Sequence, residues 1–232
     1  QLLNEDAARR PEYYAKRSGK PLEQDVYEAM REQSKGTPFQ NTIQLVSGAS
    51  FPDIVARKHY GVEVKSTEKD HWTSIGSSIL ESTRNQDVKR IYLTFGKLGA
   101  PIRFLSRPYE DCLSGIAVTH YPRYQIDMRL KAGETIFDKM GVSYDTLRNM
   151  SNPVGPVSKY YRERLKPGES LWWAAENVDA SAPPTVRLWS SLSPEEKELF
   201  TVQGYAFFPE VLSKGCREKY NRYALWLVTQ KG

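Results

Sequence analysis

Three short strand-like segments, residues 42–47, 52–56 and 62–66, follow one another directly after a helical pattern. Apolar and polar residues alternate with a period of two in the first segment and strictly so in the third, and the second is a short strand that begins with Pro-Asp. The connections between them are short enough for hairpin turns. Upstream, residues 21–34 carry apolar side chains at helical spacing, with Pro21 suited to a first turn. This pattern predicts a helix followed by an antiparallel meander of three strands.

Two further elements are predicted downstream of the meander. Residues 71–86 place Trp72, Ile75 and Ile79 at spacings typical of an amphipathic helix. Residues 90–95 alternate again and predict a fourth strand. The predicted order is therefore helix, three strands, helix, strand.

The third strand carries the residues with the clearest chemical potential. Glu63 and Lys65 are two positions apart, so their side chains share one face of the strand. Asp53 lies on the preceding strand of the same hairpin, and pairing can bring its carboxylate beside Glu63. Two carboxylates on a rigid hairpin suit a hard cation such as Mg²⁺, and a neighbouring lysine can orient water. The alternative, a half-exposed strand with solvated Glu63 and Lys65 after a Pro-Asp turn, stays open.

These residues resemble the signature of the PD-(D/E)XK nuclease superfamily. Pro52-Asp53 is followed by nine residues and then by Glu63-Val64-Lys65, and the resemblance covers about residues 19–97. It implies an α/β (α+β) fold of the restriction-endonuclease type, with a mixed four-stranded sheet flanked by helices. We expect residues 1–100 to form the nuclease core. Residues 101–232 would then be an extension that completes the domain and carries DNA-recognition and dimerisation elements.

The resemblance also implies roles for individual residues. Asp53, Glu63 and Lys65 would be catalytic, and the metal ligands would be Asp53, Glu63 and the Val64 carbonyl, with Mg²⁺ as cofactor and Mn²⁺ as substitute. Glu23 on the first helix and Ser66 on the third strand would support the site. Glu23 is equally explained as a first-turn glutamate favoured by the helix dipole, and Ser66 as a strand-end hydroxyl.

The charge distribution is compatible with a nucleic-acid partner. The net charge of +5 arises entirely within residues 51–170, which hold 19 bases and 14 acids. Charge alone favours a phosphate backbone and an ordinary solvated surface about equally. A predicted helix over residues 157–165 is either a DNA-facing element or an amphipathic surface helix with tyrosines in the core. The expected DNA-binding residues are Arg123, Lys159, Arg162 and Arg164.

Composition excludes several other classes of protein. No stretch approaches the roughly 18 apolar residues of a membrane span. The N-terminus has no signal-peptide pattern and no initiator Met, so we expect a trimmed chain or a part of a longer protein. Cys112 and Cys216 predict free buried thiols, and the scattered histidines make a zinc site improbable. We expect a prokaryotic, intracellular, cytoplasmic protein without a membrane partner.

Three functions follow from these features. The first is a Mg²⁺-dependent endonuclease similar to a type II restriction endonuclease, which would act as a homodimer on a specific double-stranded DNA site. The second is a related nuclease domain for DNA repair, recombination or phage defence within a longer protein. The third is a nucleic-acid-binding module on the same fold without activity.

Overall fold

The computed structural model describes residues 1–48, 50–118, 122–167, 193–213, 220, 222 and 223. The chain divides into two compact units, Gln1–Arg148 and Asn149–Gly232. Among the described residues, no helix is both long and apolar enough to cross a membrane.

The first unit begins with three helices and continues mainly with strands. Its helices are α1 (Leu2–Arg9), α2 (Pro11–Tyr14), α3 (Lys20–Ser34), α4 (Ile136–Met140) and α5 (Tyr144–Arg148). Its strands are β1 (Ile43–Leu45), β2 (Ile54–Ala56), β3 (Tyr60–Thr67), β4 (Thr73–Ser78), β5 (Arg90–Lys97), β6 (Arg103–Pro108), β7 (Leu113–Val118) and β8 (Pro122–Asp127). A 3₁₀ turn at Glu110–Cys112 separates β6 from β7. The predicted helix over 21–34 and the strands within 42–47, 52–56, 62–66 and 90–95 are confirmed.

A mixed five-stranded sheet forms the centre of this unit, in the order β1-β2-β3-β5-β6. β3 and β5 are parallel over their whole length, whereas the other neighbours are antiparallel. The sequence predicted a sheet of four strands, whereas this sheet has five, because β6 pairs with β5 on the side away from β3. The side-chain amide of Asn4 bonds the N–H and the carbonyl of Phe104 on the outer edge of β6, at 2.8 and 2.9 Å.

Helix α3 covers one face of this sheet. Leu22 and Val26 lie one helical turn apart, and each is only 1% exposed. They pack into a core with alternate residues of β2 and β3, together with side chains of the N-terminal helices and β6; its buried members are Ala7, Tyr14, Leu22, Val26, Ile43, Ile54, Ala56, Val64, Leu98 and Phe104. Because alternate strand residues face opposite sides, this packing directs Glu63 and Lys65 to the other face.

The prediction of a helix over residues 71–86 is wrong. That segment contains β4, which joins β8 and β7 in a second, antiparallel sheet of order β4-β8-β7. Its sequence, Thr-Ser-Ile-Gly-Ser-Ser, has poor helix formers, and pairing with β8 overrides the apolar spacing that suggested a helix. Trp72, just before β4, packs on Phe95 of β5 with ring centroids 5.8 Å apart.

The described part of the second unit is helical. It contains α6 (Val154–Arg162), α7 (Pro194–Phe207) and a 3₁₀ helix at Pro209–Leu212. The predicted helix over 157–165 therefore exists but begins and ends earlier. Ser193 caps α7: its hydroxyl accepts the Glu196 N–H, and the Glu196 carboxylate accepts the Ser193 N–H.

Candidate active site

The β2–β3 hairpin brings the two predicted carboxylates together. Ile54 pairs with Val62, so the antiparallel register places Asp53, one residue earlier, beside Glu63. The Asp53 Oδ2 atom accepts a hydrogen bond of 2.8 Å from the Val64 N–H. The Asp53 carbonyl accepts another of 2.8 Å from Val46. Asp53 is therefore held at its side chain by β3 and at its backbone by the residue after β1.

Glu63 is a buried acid with an incomplete set of partners. The residue is 5% exposed, and its Oε1 atom accepts a hydrogen bond from the Lys65 ammonium. Its Oε2 atom is buried and has no hydrogen-bond partner. Burial is the main reason that its pKa is raised to about 7; the nearby Asp53 adds to the shift, while the charge of Lys65 opposes it. A buried carboxylate oxygen without a partner is a position that favours a cation or a proton.

Lys65 lies between oxygens of the candidate metal site. Its Nζ atom donates to Glu63 Oε1 and, at 3.3 Å, to the Val64 carbonyl oxygen. The side chain is 25% exposed, so the ammonium remains accessible to water. A positive group thus contacts two of the three residues that the sequence assigned to a metal ion.

The two supporting residues differ in their relation to this cluster. Burial raises the pKa of Glu23, with a further contribution from the charge of Asp53 and an opposite one from Lys65. Glu23, in the first turn of α3, is therefore within electrostatic reach of both. Ser66 follows Lys65 on β3, so it points to the opposite face, the one shared with Val64.

The predicted DNA-binding residues are divided between the two units. Arg123, on β8, donates from Nε to the Gly76 carbonyl at 2.9 Å and so links β8 to β4. The other three belong to the second unit: Lys159 and Arg162 lie on α6, and Arg164 follows it. The Arg164 guanidinium lies 3.6 Å from the Tyr160 ring centroid and donates to the Tyr160 carbonyl. Their contact with DNA stays a prediction.

Other nucleophile and metal candidates are weak in the described part of the chain. No group of three or more His, Cys, Asp or Glu side chains there has an arrangement that could hold a metal ion. The candidate metal site has two carboxylates, Asp53 and Glu63, to which the Val64 carbonyl would add a backbone oxygen. Cys112 is free and buried, and burial raises the pKa of its thiol to about 12. Cys216 lies outside the described residues.

Gly61 contributes to the site in a way that the sequence analysis missed. It lies on β3 opposite Val55, and a Cβ atom at this position would be 2.3 Å from Pro52 Cγ. Pro52 immediately precedes Asp53, so the missing side chain of Gly61 gives the Pro-Asp segment room to approach β3. An isolated glycine within a strand pattern is the sequence signal for such a close approach.

We expect Gly61→Ala to destabilise the protein by roughly 1–3 kcal/mol, because a rigid proline ring would have to move. Thermal or denaturant unfolding of the variant measures this loss. Gly155→Ala is the control, because the atom nearest to its added Cβ, Asn152 Nδ2, is 3.3 Å away. A loss from Gly61→Ala no larger than that from Gly155→Ala would contradict the close approach of Pro52.

Glu63 should give the metal-free protein a characteristic pH dependence. Because the folded-state pKa is about 7, above the ordinary value of 4.5, folding favours the protonated form. The stabilisation is complete below about pH 4.5 and is lost as the pH rises through 7. Glu63→Gln cannot ionise, so relative to the parent we expect it to gain roughly 1–3 kcal/mol in free energy of unfolding between pH 5 and pH 8. Parallel pH–stability curves for the two proteins would refute this.

The arrangement thus combines two adjacent carboxylates, the Val64 carbonyl and an accessible lysine ammonium on one hairpin. Comparison of the chain with protein-family models, with curated proteins and with solved structures finds no match at any of the three levels.

Proposed function

We propose that this protein is a Mg²⁺-dependent DNA endonuclease of the PD-(D/E)XK type that hydrolyses phosphodiester bonds. The observation that carries the proposal is the position of Asp53 beside Glu63, with the Lys65 ammonium on Glu63 and on the Val64 carbonyl. The parallel β3–β5 pair within a mixed sheet, backed by α3, agrees with the core that the sequence resemblance implies. The connection through β4 differs from that core, in which a helix stands between the third and fourth strands.

The residues present fit a divalent cation. Glu63 Oε2 is buried without a hydrogen-bond partner, and the candidate donor set consists only of oxygens, which Mg²⁺ and Mn²⁺ prefer. Asp53, Glu63 and the Val64 carbonyl would hold the ion. When bound, it would supply positive charge to offset the charge developing on the phosphoryl group and the leaving oxygen.

The remaining roles fall to the protein's own groups. In this proposal Lys65 turns its ammonium from Glu63 towards water, holds that water through one N–H and keeps its oxygen aimed at phosphorus. The water oxygen bonds to phosphorus and gives up a proton to solvent as the bond to the 3′-oxygen breaks, and the leaving 3′-oxygen takes up a proton from solvent water. The products are a 5′-phosphate and a 3′-hydroxyl, so the cut ends should be substrates for DNA ligase.

Plasmid digestion tests the proposal. The protein is incubated with supercoiled plasmid in Mg²⁺, in Ca²⁺ and in EDTA. We expect cleavage in Mg²⁺, little or none in Ca²⁺ because its looser coordination orients water poorly, and none in EDTA. Discrete fragments would support a type II restriction endonuclease, whereas a smear or structure-dependent cutting would favour a repair or defence nuclease. Binding without cleavage in any metal would favour the inactive binding module.

The basic end of α6 gives a separate prediction for DNA binding. If this helix contacts phosphates, the double variant Arg162→Glu/Arg164→Glu should bind DNA more weakly and lower the log–log salt slope by roughly one unit per lost contact. A control with the same change of net charge is Arg9→Glu/Lys16→Glu, at two exposed bases of the first unit. Fluorescence anisotropy over a range of salt concentrations measures both. Equal effects in the two double variants would remove α6 from the DNA-binding surface.

A further inference from the structure

We propose that Arg84 is a positioning residue that fixes Asp53 for metal binding through the backbone of Phe51. The inference rests on the proposed function and identifies what holds the carboxylate of that site in place. Sequence patterns gave no indication of it, because Arg84 falls within the segment that was predicted to be helical.

The first observation is that two backbone hydrogen bonds hold Phe51. The Phe51 N–H donates to the Thr83 carbonyl at 3.0 Å, and the Asn85 N–H donates to the Phe51 carbonyl at 2.8 Å. These two bonds form an isolated parallel bridge between Phe51 and Arg84. Residue 51 is therefore fixed on both sides, two positions before Asp53.

The second observation is that Arg84 is itself fixed by buried polar groups. Its guanidinium donates to Glu81 Oε2 and to the Tyr144 hydroxyl at 2.7 Å each, and to the Val88 carbonyl at 3.1 Å. The Tyr144 hydroxyl donates in turn to Glu81 Oε1 at 2.6 Å. Arg84 and Glu81 are 7% and 5% exposed. A buried ion pair adds little net stability over apolar side chains; in this inference its role is to hold Arg84 in one geometry.

The third observation is the position of Asp53 in the chain. It lies outside β2, at the end of the connection between β1 and β2, whereas Glu63 lies within the eight residues of β3. On the upstream side, the connection is held by the hydrogen bond from the Val46 N–H to the Asp53 carbonyl and by the two backbone hydrogen bonds of Phe51. The Phe51 ring also packs 5.3 Å from the Tyr109 ring and faces the Arg84 guanidinium at 5.8 Å. Loosening Arg84 would thus move Asp53 while Glu63 stays in place.

The test compares metal affinity with stability. Arg84→Lys keeps the charge but loses the planar guanidinium group that donates hydrogen bonds to Glu81, Tyr144 and Val88. We expect the Mg²⁺ concentration for half-maximal plasmid cleavage to rise about tenfold, the usual effect of disturbing groups that orient a metal ligand. Saturating Mn²⁺, which binds such sites more tightly, should restore most of the maximal rate. Mn²⁺ titration without DNA should show the same loss of affinity.

Two further variants separate positioning from general destabilisation. Tyr144→Phe removes one hydroxyl from the cluster, leaves the ring in place and should raise half-saturating Mg²⁺ by about two- to fivefold. Ile136→Ala, at a buried position of α4, lowers the thermal stability of the same unit and should leave half-saturating Mg²⁺ unchanged.

The inference is overturned if Arg84→Lys and Tyr144→Phe fold and keep the parent's metal dependence, or if Ile136→Ala shifts it equally. If Arg84→Lys does not fold, the half-saturating Mg²⁺ concentration of Tyr144→Phe decides whether the inference holds. If the parent binds Mn²⁺ but does not cut DNA, the proposed nuclease function is refuted. The inference about Arg84 is then tested by the Mn²⁺ titration of the variants alone. A parent that binds no metal refutes both.

Discussion

Asp53→Asn is expected to abolish Mg²⁺-dependent cleavage of plasmid DNA, with a loss on the order of 10³-fold or more. The substitution replaces one of only two carboxylates that would hold the metal, and several kcal/mol of charge stabilisation correspond to a loss of that size. Asparagine keeps an oxygen that can accept the 2.8 Å hydrogen bond from the Val64 N–H. The variant should therefore fold with an unchanged or slightly raised melting temperature.

The DNA affinity of Asp53→Asn shows whether the variant has lost only catalysis or has lost its folded structure. Without metal, Asp53→Asn should bind DNA as tightly as the parent or more tightly, because a negative charge facing the phosphate has been removed. Asp111→Asn is the matched control, since it removes an exposed acid of the same unit that no proposed step uses. Cleavage by Asp111→Asn should equal that of the parent. Loss of DNA binding together with cleavage in Asp53→Asn would point to a damaged fold instead.

Lys65→Met is expected to reduce cleavage by about 10²–10³-fold while metal binding is kept or strengthened. The side chain retains most of its length but can no longer hold water or stabilise charge at the phosphate. In the parent, the ammonium contacts Glu63 Oε1 and the Val64 carbonyl, so it competes with a cation for both oxygens. Its removal should lower the concentration of Mn²⁺ needed for half-saturation.

The two variants thus change metal affinity in opposite directions although both lose activity. Mn²⁺ titration by calorimetry, in the absence of DNA, measures this difference. If Lys65→Met also loses metal affinity, Lys65 helps to build the site, and its assignment to the attacking water is wrong.

The local pattern of the sequence was sufficient to place the hairpin. Strict alternation predicts β3, a short apolar run predicts β2, and the short turn between them sets a register in which Asp53 comes beside Glu63. The same alternation directs Val64 into the core under α3 and leaves Glu63 and Lys65 on the other face. The hairpin and its register depend on residues within about fifteen positions of one another, where sequence patterns are most informative.

The features that were missed depend on distant partners. β4 is a strand because it pairs with β8, about fifty residues downstream, and apolar spacing alone cannot show that pairing. The partners of Arg84 include Tyr144, sixty residues away, so the buried cluster cannot be predicted from neighbouring residues. Gly61 was missed although Pro52 is only nine positions away, because their close approach follows from the strand pairing and not from either residue alone.

The single-turnover rate of plasmid cleavage in Mg²⁺ by four folded proteins tests most directly whether Asp53 and Lys65 are catalytic. The four proteins are the parent, Asp53→Asn, Lys65→Met and the control Asp111→Asn, each checked by thermal melting. We expect the parent and Asp111→Asn to cut at the same rate and the other two to leave the plasmid intact over the same period. Cleavage by Asp53→Asn and Lys65→Met at the parent's rate would contradict this expectation, because β3 would then be an ordinary strand with a solvated glutamate–lysine pair.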